Sequence, residues 1–303
     1  NDNSFLISSE LWKTLSWISK YYICPIGIVL NKTISYQHKK NYRIPLIKYI
    51  KITPKGRKAL KTINYKTQKK FLTILNDFSD SINIKELKSV SSSYLQVCKK
   101  LEKSNYVLLK SIPNIGGLLQ SSVKNKKIVL NKEQNTVYKN LISSLQKNTL
   151  KPILLSGVSA SGKTIVYTKI IEFYLNNNKQ IIVLVPEVSL IQKTFNELNQ
   201  YFNNTVGIWH SKLSKSEKNY VLDGIGTKRL NIVVGTRSAI FMPFDKLGLI
   251  IVDEEQENSY KQDLNIPYYN AKDVALMRSK FNHSSIVLVS STPSLETYYN
   301  VKK

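Results

Sequence analysis

The sequence predicts an α/β fold, with a parallel sheet covered by helices on both faces over residues 126–303 and a smaller unit of a different pattern before it. Three observations carry this. From residue 128 onward, short runs rich in Ile and Val recur at 153–156, 181–185, 206–209, 232–234, 249–252 and 286–290, and helical stretches separate them. Strands that are apolar throughout must be buried on both faces, which is the situation of parallel strands flanked by helices. A glycine-bearing loop follows the first of these runs and an acidic cluster follows the fifth, as expected where a parallel sheet gathers its loops at the C-terminal ends of its strands.

The preceding segments read in order. In residues 1–42, Leu11, Leu15 and Ile18 recur at helical spacing with Trp12 and Trp17 nearby. Pro25 and Gly27 then break the helix and an extended stretch is expected. Residues 43–112 form a second unit. Tyr49–Ile52 reads as a strand, and Thr53-Pro54-Lys55-Gly56 as a turn leading into a helix. Thr67–Phe78 is amphipathic, with Phe71, Ile74, Leu75 and Phe78 on one face. Ile84–Leu87 and Ser93–Leu101 are further helical candidates, and Tyr106–Leu109 closes as a strand. Short helices followed by paired strands make this a winged-helix-like domain, a pattern that many small α/β domains share. Residues 113–125, with Pro113, Gly116, Gly117 and several Ser, read as a linker. No internal repeat or long low-complexity run interrupts the chain.

Composition narrows the function classes. The 303 residues suffice for two or three domains. No apolar run approaches the ~18 residues of a membrane span. Residues 1–10 lack a basic stretch followed by an apolar one and an initiating Met, so no signal peptide and an excerpt from a longer chain are expected. Cys24 and Cys98 form no CxxC pair, which argues against a zinc site or disulfide framework and suits a reducing cytoplasm. His38, His210 and His283 lack Cys or carboxylate neighbours at ligand spacing, so no protein metal site is assigned. The formal net charge of +25 divides into +16 on residues 1–125 and +9 on 126–303. Such an excess favours a polyanion such as nucleic acid. Only five of the 45 basic residues are Arg, however, and a chain rich in Lys, Asn and Ile is also what an AT-rich genome encodes. Charge alone therefore does not establish DNA binding, and Lys39, Lys40, Lys69 and Lys70 read as solvated surface.

Gly157-Val158-Ser159-Ala160-Ser161-Gly162-Lys163-Thr164 fits GxxxxGK[ST], follows the strand 153–156, and precedes an amphipathic helix bearing Val166, Ile170, Ile171 and Tyr174. That context is the one a phosphate-binding loop requires. Gly157, Ser159, Ser161 and Gly162 let backbone N–H groups surround an anion at a helix N-terminus. Lys163 supplies a cation for the β/γ-phosphates, and Thr164 a hydroxyl for Mg²⁺. The apolar run 249–252 ends in Asp253-Glu254-Glu255-Gln256. Asp253 is the candidate to hold Mg²⁺ through water, and Glu254 the candidate to orient or deprotonate an attacking water. A helix N-terminus attracting acids would explain one of them but not their place at the end of a buried strand.

Further segments identify a resemblance. Residues 185–190 (VPEVSL), 235–241 (GTRSAIF), DEEQ and 290–294 (SSTPS) follow in an order that resembles the first lobe of superfamily 2 helicases. The string LIIVDEEQENSYKQ from Leu249 to Gln262, residues 267–274 (PYYNAKDV), residues 209–214 (WHSKLS) and residues 17–27 (WISKYYICPIG) are similar to the PriA family of primosomal helicases. The resemblance spans nearly the whole chain and is weakest over 30–110.

The resemblance implies a RecA-like P-loop NTPase lobe at 126–303, with residues 1–42 as the remnant of a domain that binds 3′ DNA ends. It implies ATP and Mg²⁺ as cofactors, with Gln134 reading adenine. It implies that Gln256, Ser291 and Thr292 couple nucleotide state to DNA grip. It also places residues 257–270 in an aromatic-rich loop against single-stranded DNA. Tyr260, Tyr268 and Tyr269 offer faces for base stacking and Lys261 a phosphate contact, with core packing the alternative for each tyrosine. Thr236 and Arg237 are candidate backbone-phosphate contacts. The implied activity is ATP-driven 3′-to-5′ unwinding at stalled forks in the cytoplasm, leading to primosome assembly. The implied partners are forked and single-stranded DNA, single-strand-binding protein, primosome loading proteins and the replicative helicase, with no membrane. Two substitutions depart from the pattern: Gln256 replaces the usual His, and Ser291 the usual Ala. The second motor lobe with its arginine finger, and the family's zinc-binding cysteines, are expected outside this sequence. Nucleotide and DNA binding with little unwinding is therefore expected of these residues alone. The rivals are another superfamily 2 helicase, of the restriction or RNA type, and a shortened nucleotide- or DNA-binding protein without activity.

Overall fold

A computed structural model describes residues 7–34, 46–78, 80–113, 126–146 and 151–302. They divide into two compact units, residues 46–113 and the remainder.

Two helices open the chain, α1 (Ser9–Tyr21) and α2 (Ile26–Ile34). Ser8 caps α1 by accepting a hydrogen bond from Leu11 N. The extended stretch expected beyond Pro25 is instead helical. Proline without an N–H donor is compatible with a helix start, and the Pro25 carbonyl accepts from Ile28 N and Val29 N.

In the smaller unit, β1 (Leu46–Ile52) is the central strand of an antiparallel sheet, between β2 (Ile82–Asn83) and β3 (Val107–Pro113). The helices α3 (Pro54–Ala59), α4 (Lys66–Asp77) and α5 (Tyr94–Lys103), with a 3-10 turn over Ile84–Ser89, complete this unit. Its core joins Ile50, Ile52, Phe71, Leu72, Leu75, Leu87, Cys98 and Leu101. Phe78, expected on the buried face of α4, is exposed, and Leu72 is buried in its stead. Thr53 caps α3 through Gly56 N at 3.0 Å and donates its own hydroxyl to the Tyr106 carbonyl at 3.1 Å. A Cβ at Gly56 would lie 2.0 Å from that carbonyl, so the turn requires glycine.

The larger unit is built on six parallel strands, β4 (Ile153–Ser156), β5 (Gln180–Leu184), β6 (Val206–Trp209), β7 (Ile232–Gly235), β8 (Leu247–Val252) and β9 (Ser285–Ser290), in the order β4-β9-β8-β5-β7-β6. The helices are α6 (Lys132–Gln146), α7 (Lys163–Asn176), α8 (Val188–Phe202), α9 (Lys215–Gly226), α10 (Ala271–Asn282) and α11 (Leu295–Lys302). Side chains alternate across each strand. Ile182, Leu184, Ile250 and Val252 enter one core with Val221, Val274 and Ala275. Ile181, Val183, Leu249 and Ile251 enter the other with Ile170, Ile171, Phe195 and Leu198.

Leu11, Leu15 and Ile18 belong to the first of these cores, so α1 is part of the layer that covers the sheet. Tyr22 strengthens the attachment. Its hydroxyl accepts from Asn270 N at 3.1 Å and lies 3.3 Å from the Asp273 carboxylate. Burial raises the Tyr22 pKa to about 12. Leu15→Ala is expected to destabilise the whole larger unit by about 2–5 kcal/mol, the range for a fully buried leucine. Denaturant unfolding followed by a probe in the sheet checks this; an unchanged midpoint would show α1 to be peripheral.

Candidate nucleotide and nucleic-acid site

The strand order decides where the motifs meet. β9 lies between β4 and β8, so its C-terminal turn borders both the loop after β4 and the acids after β8. Gly157 N donates to the Ser290 carbonyl at 3.3 Å, and Glu255 N donates to the Val289 carbonyl at 3.0 Å.

The phosphate loop is held open by backbone conformation. Gly162 adopts a left-handed φ of +83° ahead of α7, and Ala160 has φ +62°. At Gly162 glycine relieves the strain that a Cβ would bring. The Lys163 ammonium donates to the Gly157 and Val158 carbonyls at 2.8 and 3.1 Å, bridging the loop it is expected to serve. Gln134, at the start of α6, donates from Nε2 to the Ser161 carbonyl at 3.3 Å, and its Oε1 accepts from Asn131 N at 3.1 Å. The structure thus brings Gln134, Gly157, Ser161, Gly162 and Lys163 together. Ser159 lies in the same turn and is exposed.

Asp253 stands beside this loop. Burial, then the neighbouring Glu254 carboxylate, raise its pKa to about 6, against the opposing pull of Tyr167, the Glu254 N–H and the Lys163 charge. Tyr167, on α7, was not anticipated as a site residue. Its hydroxyl lies 3.3 Å from the Asp253 carboxylate. Tyr167 follows Thr164 by three residues, one helical turn, and that spacing is the signal that places it beside the site. The Thr164 hydroxyl and the Asp253 carboxylate are the kind of oxygen donors that suit Mg²⁺. Thr164 and Asp253 would hold the ion, which when bound neutralises phosphate charge.

Glu254 has a left-handed φ of +47°, unusual for a residue with a side chain, at a position expected to do chemistry. Its carboxylate accepts from Gln256 Nε2 at 2.9 Å. Gln256 Oε1 accepts in turn from the Ser290 hydroxyl at 2.5 Å, and Ser290 Oγ accepts from Thr292 N at 3.0 Å. A connected path therefore runs from Glu254 through Gln256 to the turn that carries Thr292. Ser290, not Ser291, makes the side-chain link; Ser291 is partly exposed and makes no hydrogen bond in that path.

The aromatic loop differs from expectation in two of its three tyrosines. Tyr260 is 1% exposed, and its hydroxyl donates to the carbonyls of Asp253 and Leu184 at 2.5 and 3.1 Å. Tyr269 is 4% exposed and packs edge-on against Phe241, with ring centroids 5.4 Å apart. Neither ring is a platform for a base. Both were singled out because aromatic residues cluster there, a pattern that loop anchors share with stacking residues. Tyr268, 53% exposed, keeps its ring free, and Lys261 is exposed. Residues 261 and 270 close the loop by an antiparallel bridge. Arg237 donates to the Lys261 carbonyl, which fixes the GTRS segment to the loop's base. Thr236 begins the adjoining 3-10 turn Arg237–Phe241. Arg278, fully buried on α10, holds the end of that turn by donating to the Ile240 and Met242 carbonyls. Burial lowers the Arg278 pKa to about 9. Among the described residues no cluster of three or more His, Cys, Asp or Glu could hold a metal, and no helix is long and apolar enough to cross a membrane.

An edge that gathers a cationic loop, two acids and a hydrogen-bonded reporter turn is the working end of a P-loop nucleotide-driven lobe. Comparison with known proteins narrows the class. The profile of DEAD/DEAH box helicases matches residues 131–301. The chain belongs to that family. It is similar to the replication restart protein PriA of several bacteria. It is 34% identical to that of Chlamydia pneumoniae over 309 residues, covering 99% of this chain and 41% of the relative. With that of Bacillus subtilis it is 38% identical over 234 residues, covering 73% and 29%. With that of Rickettsia prowazekii (strain Madrid E) it is 47% identical over 152 residues, covering 50% and 23%. The chain thus spans less than half the length of these relatives.

Asp253 also sets a pH dependence. Its folded pKa lies above the ordinary aspartate value of 3.8, so the folded chain holds more protons than the unfolded chain between about 4 and 6. Stability then falls as pH rises through that window. Asp253→Asn is expected to raise the melting temperature of the Mg²⁺-free protein at pH 8 and to change it little at pH 4. Equal shifts at both pH values would show that the carboxylate is not destabilised by its surroundings.

Proposed function

We propose that residues 126–302 are the ATP-binding motor lobe of a 3′-to-5′ DNA helicase of replication restart, and that the 46–113 unit adds a DNA contact. The observation that carries the reading is the gathering of Lys163, Thr164, Asp253 and Glu254 at one sheet edge, with Tyr260 fastening the DNA-facing loop to the Asp253 carbonyl. Gln134 reads the adenine. Gly157, Ser159, Ser161 and Gly162 cradle the phosphates, and Lys163 balances their charge. Glu254 positions the attacking water, and its raised-energy backbone is held in place by Gln256. Gln256, Ser290 and Thr292 then convey the nucleotide state toward the strand, with Ser291 alongside. Thr236, Arg237, Lys261 and Tyr268 contact single-stranded DNA, the arginine and lysine through phosphate and Tyr268 through a base.

The smaller unit carries 15 basic against 4 acidic residues over 46–113. On its surface a groove of about 460 Å³ is lined by Tyr65, Gln68, Lys100, Lys103, Ser104 and Tyr106, and the Lys55 ammonium sits 5.7 Å over the Tyr106 ring. Lysines beside the exposed Tyr65 and the half-buried Tyr106 suit a nucleic-acid backbone. The similarity to PriA supports forked DNA as the substrate, cytoplasmic action, and single-strand-binding protein, primosome loading proteins and the replicative helicase as partners of the whole protein.

Two measurements test this. Lys163→Ala is expected to abolish ATP binding without unfolding the chain; unchanged ATP affinity would end the motor reading. Tyr268→Ala should weaken binding to an oligo-dT strand by about 1–3 kcal/mol, the worth of one base stacked on an aromatic ring. RNA bound as well as forked DNA would point to a different superfamily 2 activity.

A further inference from the structure

Glu255 is the third acid of DEEQ, and the nucleotide chemistry gives it no task. Its side chain is buried, and it faces away from the solvent that the other two acids partly meet. One oxygen accepts from Ser294 N at 2.8 Å. The other accepts from the Lys272 ammonium at 2.8 Å, the Thr297 hydroxyl at 2.8 Å and the Ser294 hydroxyl at 3.2 Å. Burial opposes the charge of Glu255, but Lys272, the Ser294 N–H and Thr297 outweigh it and keep its pKa low. Lys272 also reaches the Ser294 and Thr297 hydroxyls at 3.2 and 3.5 Å.

Each partner comes from a different working part. Lys272 lies two residues beyond the bridge that closes the 261–270 loop, and its backbone N–H is fixed by the Asn270 side chain at 2.9 Å. Ser294 ends the Ser-Thr-Pro turn, and Thr297 lies in the first turn of α11. The turn 290–294 is therefore gripped at both ends. Gln256 ties its start to Glu254, the acid beside the nucleotide. Glu255 ties its end to Lys272, at the root of the nucleic-acid loop. A buried ion pair adds little net stability compared with apolar packing, yet it is costly to leave half made, so its partners must move together.

We propose that Lys272 and Glu255 are positioning residues that transmit occupancy of the 261–270 loop by single-stranded DNA to the Ser-Thr-Pro turn, and so to the nucleotide. This rests on the motor reading above. Through linkage, DNA that tightens nucleotide binding must itself be bound more tightly when nucleotide is present.

The test is a titration of the full chain with a fluorescent ATP analogue, with and without saturating oligo-dT. The unaltered chain is expected to show a DNA-dependent change in nucleotide affinity of at least about 5-fold, the lower end for coupled sites. Lys272→Met should bring that ratio to near unity while each ligand alone keeps its affinity, and Lys272→Arg should restore it. Thr297→Val, which spares the ion pair and removes one strand of the cluster, should lower the ratio part-way and serves if Lys272→Met does not fold. A ratio unaltered in Lys272→Met and Thr297→Val overturns the proposal. So does loss of the ratio together with both separate affinities, which is the behaviour of a merely structural pair. An unaltered chain that binds the analogue without responding to DNA overturns this proposal alone; one that binds no analogue overturns the motor reading as well.

Discussion

The insertion of β9 between β4 and β8 is the constraint on which the rest depends. A parallel sheet delivers its strand ends to one edge, but strand order decides which ends are neighbours. Here the register pairs Ser156 with Ser290 and Val252 with Leu288, so the phosphate loop, the acidic cluster and the Ser-Thr-Pro turn follow three adjacent strands. The middle one, β9, touches both others through backbone hydrogen bonds, from Gly157 N to Ser290 O and from Glu255 N to Val289 O. Only one strand end therefore separates the phosphate loop from the acids, and the Ser-Thr-Pro turn is part of that strand.

The edge is also electrostatically unfinished. Asp253 is desolvated and repelled by Glu254, while the Lys163 ammonium leans on carbonyls of its own loop. Charges held in such positions are unfavourable without a ligand and favourable with one, because a triphosphate and a divalent cation supply the missing partners. The Tyr167 hydroxyl gives the Asp253 carboxylate one hydrogen-bond partner at 3.3 Å. The acids beyond Asp253 take opposite parts: Glu254 sits partly exposed in a left-handed backbone, and Glu255 is buried in a cluster with Lys272, Ser294 and Thr297.

What the sequence made legible follows from how local its causes are. The six strands could be read because each is an uninterrupted apolar run, and the phosphate loop because its glycines and lysine are contiguous. Both need only short-range information. Elements of the smaller unit were legible for the same reason, with the Thr53 cap and the Phe71–Leu75 face visible in four-residue patterns. What escaped was long-range. Nothing local distinguishes α1 as a layer of the sheet, because its partner α10 lies about 250 residues away and Tyr22 finds Asn270 only in three dimensions. Tyr260 and Tyr269 read as stacking residues because composition cannot tell a ring that faces a strand of DNA from one that anchors the loop presenting it. Burial of both rings, with the Tyr260 hydroxyl on the Asp253 carbonyl and Tyr269 edge-on against Phe241, separates the two.

That separation gives the aromatic loop a division of labour. If all three tyrosines were exposed, the loop would bind bases but could relay nothing, since its base would be free to swing. Burying Tyr260 and Tyr269, bridging 261 to 270, and pinning the Lys261 carbonyl with Arg237 fastens the base and leaves Tyr268 as the exposed ring. A rigid base passes displacement to whatever it is fastened to, and here it is fastened to Asp253 on one side and, through Lys272, to Glu255 on the other. The DEEQ segment is thus held at its first and third residues, Asp253 and Glu255, from the two ends of one loop. Under the proposed function, the acids at the nucleotide edge cannot shift independently of the loop that meets nucleic acid, and a lobe that is to convert one event into the other needs that property before any second lobe takes part.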